Sequence, residues 1–383
     1  MSLNKISASA YSDTKPHYEL LNGLRGVAAL MVVLYHVFEG FATSPIDQRF
    51  NHGYLAVDFF FILSGFVIGY AYDDRWQKMK TRDFIKRRLI RLHPMIVLGL
   101  VFGVITFLIQ GGKQWDGTSV SVSMVMFSLL LSLFLIPAIP GSGVEVRGNG
   151  EMFPLNGPIW TLFFEYIGNI LYALILRRLS NKMLTILVVF AGLALTSFAV
   201  FNLSGYGHLG VGWSLSENNL LGGLLRLLFS FSLGLLMSRK FKPIRIKGAF
   251  WISSITIIVL LSMPYIGDGS MPWKNGLYDS VCTILIFPVL VYSGASGSTA
   301  GRHSSKIYKF LGDISYPLYV VHYPFMYLFY SYLWSNGNLS LSQTWHVAVL
   351  LFVGNVVLAY ASLKLYDEPV RKFLTKRFLL KNK

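Results

Sequence analysis

Apolar runs of membrane-spanning length recur along the chain from Leu24 to Leu365, separated by short polar segments, with no polar stretch long enough for a separate soluble domain. The runs predict ten spans, at 24–41, 54–72, 92–110, 158–176, 183–203, 220–237, 249–266, 277–293, 314–334 and 345–365. An eleventh apolar stretch, 122–138, is expected to be re-entrant or interfacial, because counting it as a span scatters the loop charges over both faces. The expected fold class is therefore all-α: a polytopic membrane helix bundle of about ten transmembrane helices plus that one segment. The expected domain plan is a cytoplasmic N-terminal segment, 1–23, a membrane domain, 24–365, and a basic cytoplasmic tail, 366–383.

Composition agrees. The 383 residues are 54% hydrophobic and only 14% charged, with a mean hydropathy of +0.52, where a soluble domain carries about 25% charged residues. The first apolar run lacks a small-residue cleavage site and reads as an uncleaved span. The lone Cys282 excludes an internal disulfide and reads as a small lipid- or core-facing residue. A net charge of +16 raises the question of nucleic acid, but its distribution answers it. With the N-terminus inside, the inner segments hold 28 of the 34 Lys and Arg, and the outer ones only Arg49, Lys113, Arg147 and Lys274. This is the positive-inside pattern, which puts both termini in the cytoplasm and needs no nucleic acid.

Ionisable residues inside spans are costly and mark sites or pathways. Ten residues separate Arg25 from His36, so on a helix the two share a face, about 16 Å apart along the axis. That puts Arg25 at the cytoplasmic mouth and His36 somewhat past the midplane, about 18 Å from the inner face. Glu165 falls about 20 Å from the same face. It is expected to pair with His36, fixing the ring tautomer and raising its basicity, or alternatively with Arg226. Asp58 is expected nearer the outer surface and His322 nearer the centre. Arg88 and Arg91, three apart in RDFIKRRLIRLHP (82–94), share a face just before the third span. Together with Arg25 they have the chemistry of a clamp for a diphosphate.

These motifs occur in order: Arg25 and His36, FILSGF at 61–66, Arg88 and Arg91, WTLFFE at 160–165, LGDISYPLYVVHYP at 311–324 and DEP at 367–369. From about residue 17 to 372 the chain resembles the acyltransferase family 3 membrane enzymes, which include O-antigen and nodulation-factor acetylases. Thr161 stands where that pattern usually has serine, Phe163 and Phe164 are bulky, and His93 replaces a commoner aromatic. The chain looks like the stand-alone form, without a C-terminal hydrolase-like domain. The resemblance implies transfer of an acyl group, usually acetyl, from cytoplasmic acyl-CoA to a hydroxyl of a carbohydrate or other envelope or secreted molecule, in a bacterial inner membrane. It implies a catalytic role for His36 and a role in donor binding or activity for Arg25, Arg88 and Arg91. No cofactor or metal is expected beyond acyl-CoA as co-substrate. The expected partners are acyl-CoA, the hydroxyl acceptor and the bilayer. Ser64, Asp58, Trp160, Tyr316 and His322 are candidate oxyanion or acceptor contacts. His36 acts either as general base or as acyl relay. The competing class is a proton-coupled transporter or glycan exporter, which would commonly show paired half-repeats; the sequence shows none.

Overall fold

The computed structural model describes residues 18–244, 246–297 and 301–380. Most of the predicted N-terminal segment and the last three residues of the predicted tail lie outside them. The protein is 72% helical, with no strand among the described residues. The helices are α1 (Glu19–Glu39), α2 (Ala56–Tyr72), α3 (Thr81–Ile109), α4 (Val122–Leu133), α5 (Ile159–Leu174), α6 (Asn181–Val200), α7 (Glu217–Lys240), α8 (Ala249–Ser262), α9 (Pro272–Ser296), α10 (Gly301–Ser335) and α11 (Leu341–Phe378). Among the described residues, eight helices are long and apolar enough to cross a membrane. Each of the ten predicted spans falls on a helix. The exposed surface of α6, α8 and α11 is rich in Phe190, Leu193, Trp251, Ile255, Leu350 and Val357, as a lipid-facing surface requires.

The ends of the helices differ from the sequence reading. α3 begins eleven residues before its apolar run, so Arg88 and Arg91 lie within the helix and not ahead of it. α10 likewise begins at Gly301, and α11 continues past Leu365 through a π turn, Leu363–Asp367, to Phe378. α4 has 12 residues, about 18 Å, too short for the ~30 Å hydrocarbon layer. Ser121 caps its start by accepting from the Met124 amide, and Leu135 ends it in the left-handed region at φ 55°. Cys282 is fully buried in a second π turn, within α9.

The most extensive packing is of α1 on α10 and of α2 on α7. The second crossing is a mutual glycine contact. A Cβ on Gly65 would lie 2.0 Å from the Phe231 carbonyl oxygen, and the backbones meet again at Gly234 against Ile62. Such close approach is the commonest way for apolar helices to associate in lipid. α10 carries Pro317 and Pro324. Pro324 has no N–H for the Val320 carbonyl, and the Asn156 amide donates to that oxygen at 2.9 Å.

Candidate active site

His36 stands in the last turn of α1. Because α1 begins at Glu19, the ring is about 25 Å from the start of the helix. It is therefore nearer the far end of the bundle than the sequence reading placed it. Its Nδ1 is 2.7 Å from Oε2 of Glu39, one turn on. The predicted pairing with Glu165 is not the arrangement found. A carboxylate accepts, so Nδ1 carries the hydrogen and, in the neutral ring, Nε2 is left as the base. Tyr330 Oη, from α10, donates toward Glu39 Oε2 at 2.8 Å and toward the His36 carbonyl at 2.6 Å. Tyr323 packs edge-on against the imidazole, centroids 4.6 Å apart, and the His322 ring lies 5.4 Å away. The ring retains 15% side-chain exposure and Glu39 37%, so the pair is reachable.

Glu165 belongs to the other end of the interior. Arg88 donates to its Oε1 at 2.6 Å, and Ser64 Oγ donates to the same oxygen at 3.2 Å. Arg88 is buried, whereas Arg91, one turn on, is exposed and within electrostatic reach of Arg88, Arg371 and Glu165. Half-buried Arg25 donates to Ser315 Oγ at 2.7 Å and to the Gly312 carbonyl at 3.0 Å, and feels the charges of Arg91, Glu165 and Arg371. Arg371 pairs with buried Asp367 at 2.8 Å. Four guanidiniums thus converge on Glu165 and Asp367, with Asp313 also within electrostatic reach of Arg25. Among the described residues, Arg88 Nε, Arg371 Nε, Asp367 Oδ1 and Tyr166 Oη are buried here without a partner. A group of planar cations with unfilled donors has the chemistry to receive an anion such as a phosphate.

The other candidates separate. Tyr316 joins the basic cluster, donating to the Leu92 carbonyl at 2.6 Å. In this arrangement the Tyr316 hydrogen goes to Leu92 and that of Ser64 to Glu165. Asp58 is wholly buried and pairs with Arg226 at 2.7 Å. The alternative pairing of Arg226 with Glu165 is therefore not found either. Arg226 also donates to the carbonyls of Tyr54 and Val211, and Trp160 lies over it with its ring centre 5.5 Å from the guanidinium carbon. This group is a structural clasp joining α2, α5 and α7.

Glu39, Tyr323, Tyr330 and Arg371 were missed by the sequence reading. Glu39 had a signal, since HVFE puts His36 and Glu39 three apart on one face of a helix. Beyond Tyr330 the α10 face continues to Tyr327, which donates a short hydrogen bond to Glu151 and holds Arg147 3.4 Å from its ring centre. Burial pushes the Glu151 carboxyl up to about 7, against the opposing pull of Tyr327 and Arg147. A carboxyl raised by folding favours the native state fully below its ordinary value of about 4.3 and loses that contribution as pH rises through about 7. The melting temperature in detergent is expected to fall between pH 5 and pH 8, and Glu151→Gln to flatten that slope.

Residues 18–364 match the family model described as an acyltransferase domain. A protein of Rhizobium radiobacter named protein 2 in the picA locus is 33% identical over 162 residues, 40% of this chain and 80% of its own length. A Staphylococcus aureus protein provisionally named an O-acetyltransferase is 25% identical over 378 residues, covering 92% of this chain. The chain spans 57% of that relative's length. Acyltransferase MdmB of Streptomyces mycarofaciens is 26% identical over 349 residues, 86% of this chain and 83% of its own. No solved structure matches. With the family model reaching from the start of α1 into the π turn of α11, the chain belongs to the acyltransferase family 3 of membrane enzymes.

Proposed function

We propose that the protein moves an acyl group, acetyl in the first instance, from acyl-CoA to a hydroxyl of a carbohydrate or other envelope or secreted molecule. The observation that carries this reading is that one helix, α1, bears both working parts. Arg25 stands in the four-guanidinium cluster, and His36, held by Glu39, lies about 16 Å further along the axis. Arg25, Arg88, Arg91 and Arg371 grip the phosphates of the donor, with Glu165 and Ser64 holding Arg88 in place. The donor's flexible arm runs between α1 and α10 toward His36. The acceptor hydroxyl gives its proton to His36 Nε2 as its oxygen attacks the thioester carbonyl. The C–O bond forms, the C–S bond breaks, and the leaving thiolate takes the proton from the His36 imidazolium, which returns the ring to its neutral form. Glu39 keeps the ring in the required tautomer and stabilises the imidazolium.

In the relay variant His36 Nε2 itself takes the acyl group and passes it to the acceptor, which predicts ping-pong kinetics where direct transfer predicts a ternary complex. The charge bias supports a cytoplasmic basic end with both termini, and so a donor entering from that side of a bacterial inner membrane. The test is thiol release by the purified protein in nanodiscs, supplied with acetyl-CoA or succinyl-CoA and candidate acceptors. Release that requires both protein and donor is expected, and its absence with every donor and with water as acceptor sinks the reading.

A further inference from the structure

His322, wholly buried in α10, is not used by the mechanism above. Its Nδ1 lies 3.0 Å from the carbonyl oxygen of Leu318, one turn earlier on the same helix. A carbonyl oxygen only accepts, so Nδ1 carries the hydrogen, and in the neutral ring Nε2 bears a lone pair. That nitrogen is buried and meets no donor among the described residues. No neighbouring hydroxyl reaches it: Tyr319, its ring 6.0 Å away, is turned toward the Pro158 carbonyl at 3.5 Å, and Tyr323, its ring 5.9 Å away, makes no bond to it. His36 cannot serve it either. Its one hydrogen, in the neutral form, is on Nδ1 and faces Glu39. The two rings, centroids 5.4 Å apart, therefore each fix Nδ1 in a bond and each offer a bare Nε2. Two lone pairs do not bond each other, and a buried acceptor without a donor is costly. A ligand hydroxyl would supply that donor, as a buried water would, and would do so beside the nitrogen that takes the reacting proton.

We propose that His322 Nε2 accepts a hydrogen bond from a second hydroxyl of the acceptor, adjacent to the one acylated at His36, so that the preferred acceptor is a vicinal diol of the kind a sugar ring presents. The inference rests on the reading of His36 as the group that activates the acceptor. His322 undergoes no covalent change: the reacting proton goes to His36, and the second hydroxyl keeps its own while donating. His322 is thus a specificity-determining residue, fixed by a backbone carbonyl so that it can only accept. A site built to bond a hydroxyl rejects the analogue lacking it far more strongly than an apolar pocket discriminates shape.

The experiment compares cis-1,2-cyclohexanediol with cyclohexanol as acceptors, using the full chain in nanodiscs and acetyl-CoA, with ester products identified by mass. The wild type is expected to favour the diol in kcat/KM by about 10²-fold or more. His322→Leu is expected to bring the ratio toward one, chiefly by slowing the diol, and His322→Asn, which retains an acceptor oxygen, to keep part of it. A wild type that treats the two alcohols alike, or acylates neither while still hydrolysing the donor, overturns the inference, as does a His322→Leu variant that slows both in proportion. Where His322→Leu does not fold, the wild-type ratio decides alone. Loss of donor hydrolysis as well as transfer in the wild type strikes instead at the reading of His36.

Discussion

His36→Ala is expected to lower kcat for acyl transfer by about 10²–10⁴-fold, the contribution of a positioned base, with the donor's KM nearly unchanged. The separation of the two parameters follows from the geometry. The guanidinium cluster that would grip the donor is about 16 Å away along α1 and its hydrogen bonds do not involve the imidazole. Glu39→Gln is expected to produce a smaller loss. The amide oxygen can still accept from Nδ1, but the charge that stabilises the imidazolium is gone. A unit fails as a unit, so adding Glu39→Gln to His36→Ala should cost nothing further, whereas two independent contributors would multiply. Steady-state kinetics of the two single variants and the double variant decide this. A double variant much slower than His36→Ala, or a His36→Ala enzyme at the wild-type rate, removes the assignment. A large rise in donor KM in His36→Ala would place the ring in the donor's grip instead.

What the sequence made legible here, and what it hid, divides along one line. Apolar runs located every helix, because lipid allows the backbone no other solution. Depth within a run could also be read, since rise per residue is fixed. Depth, however, is one coordinate. It placed Glu165 and His36 at similar levels, but which residue faces which is set by rotation and by the partner helix. Packing turns Glu165 of α5 toward Arg88 of α3 and gives His36 to its own helical neighbour Glu39. The polar extensions of helices were hidden for a different reason. The basic stretch 81–91 has no apolar face long enough to announce a helix, yet α3 begins there. Arg371 fell in a supposed tail because a π turn, which no apolar periodicity marks, carries α11 onward and brings Asp367 back into the interior.

The largest loss of stability is expected from Asp58→Ala. Asp58 and Arg226 are both 0% exposed, and the guanidinium binds the carboxylate through Nε and through Nη2, the latter at 2.7 Å. Two further donations, to the Tyr54 and Val211 carbonyls at 2.8 Å each, bring to four the N–H groups it uses. Removing the carboxylate leaves a fixed cation in a dry interior with only neutral dipoles around it. Breaking such a pair from one side typically costs about 3–5 kcal/mol, whereas replacing both partners by apolar residues of similar volume is often neutral or better. Asp58→Ala should therefore unfold or aggregate in detergent at temperatures the wild type survives. Asp58→Leu with Arg226→Met is expected to recover most of the melting temperature. Recovery with acyl transfer retained would assign the pair to architecture alone. A double variant that folds but neither hydrolyses the donor nor acylates any acceptor would instead return Asp58 to the chemistry.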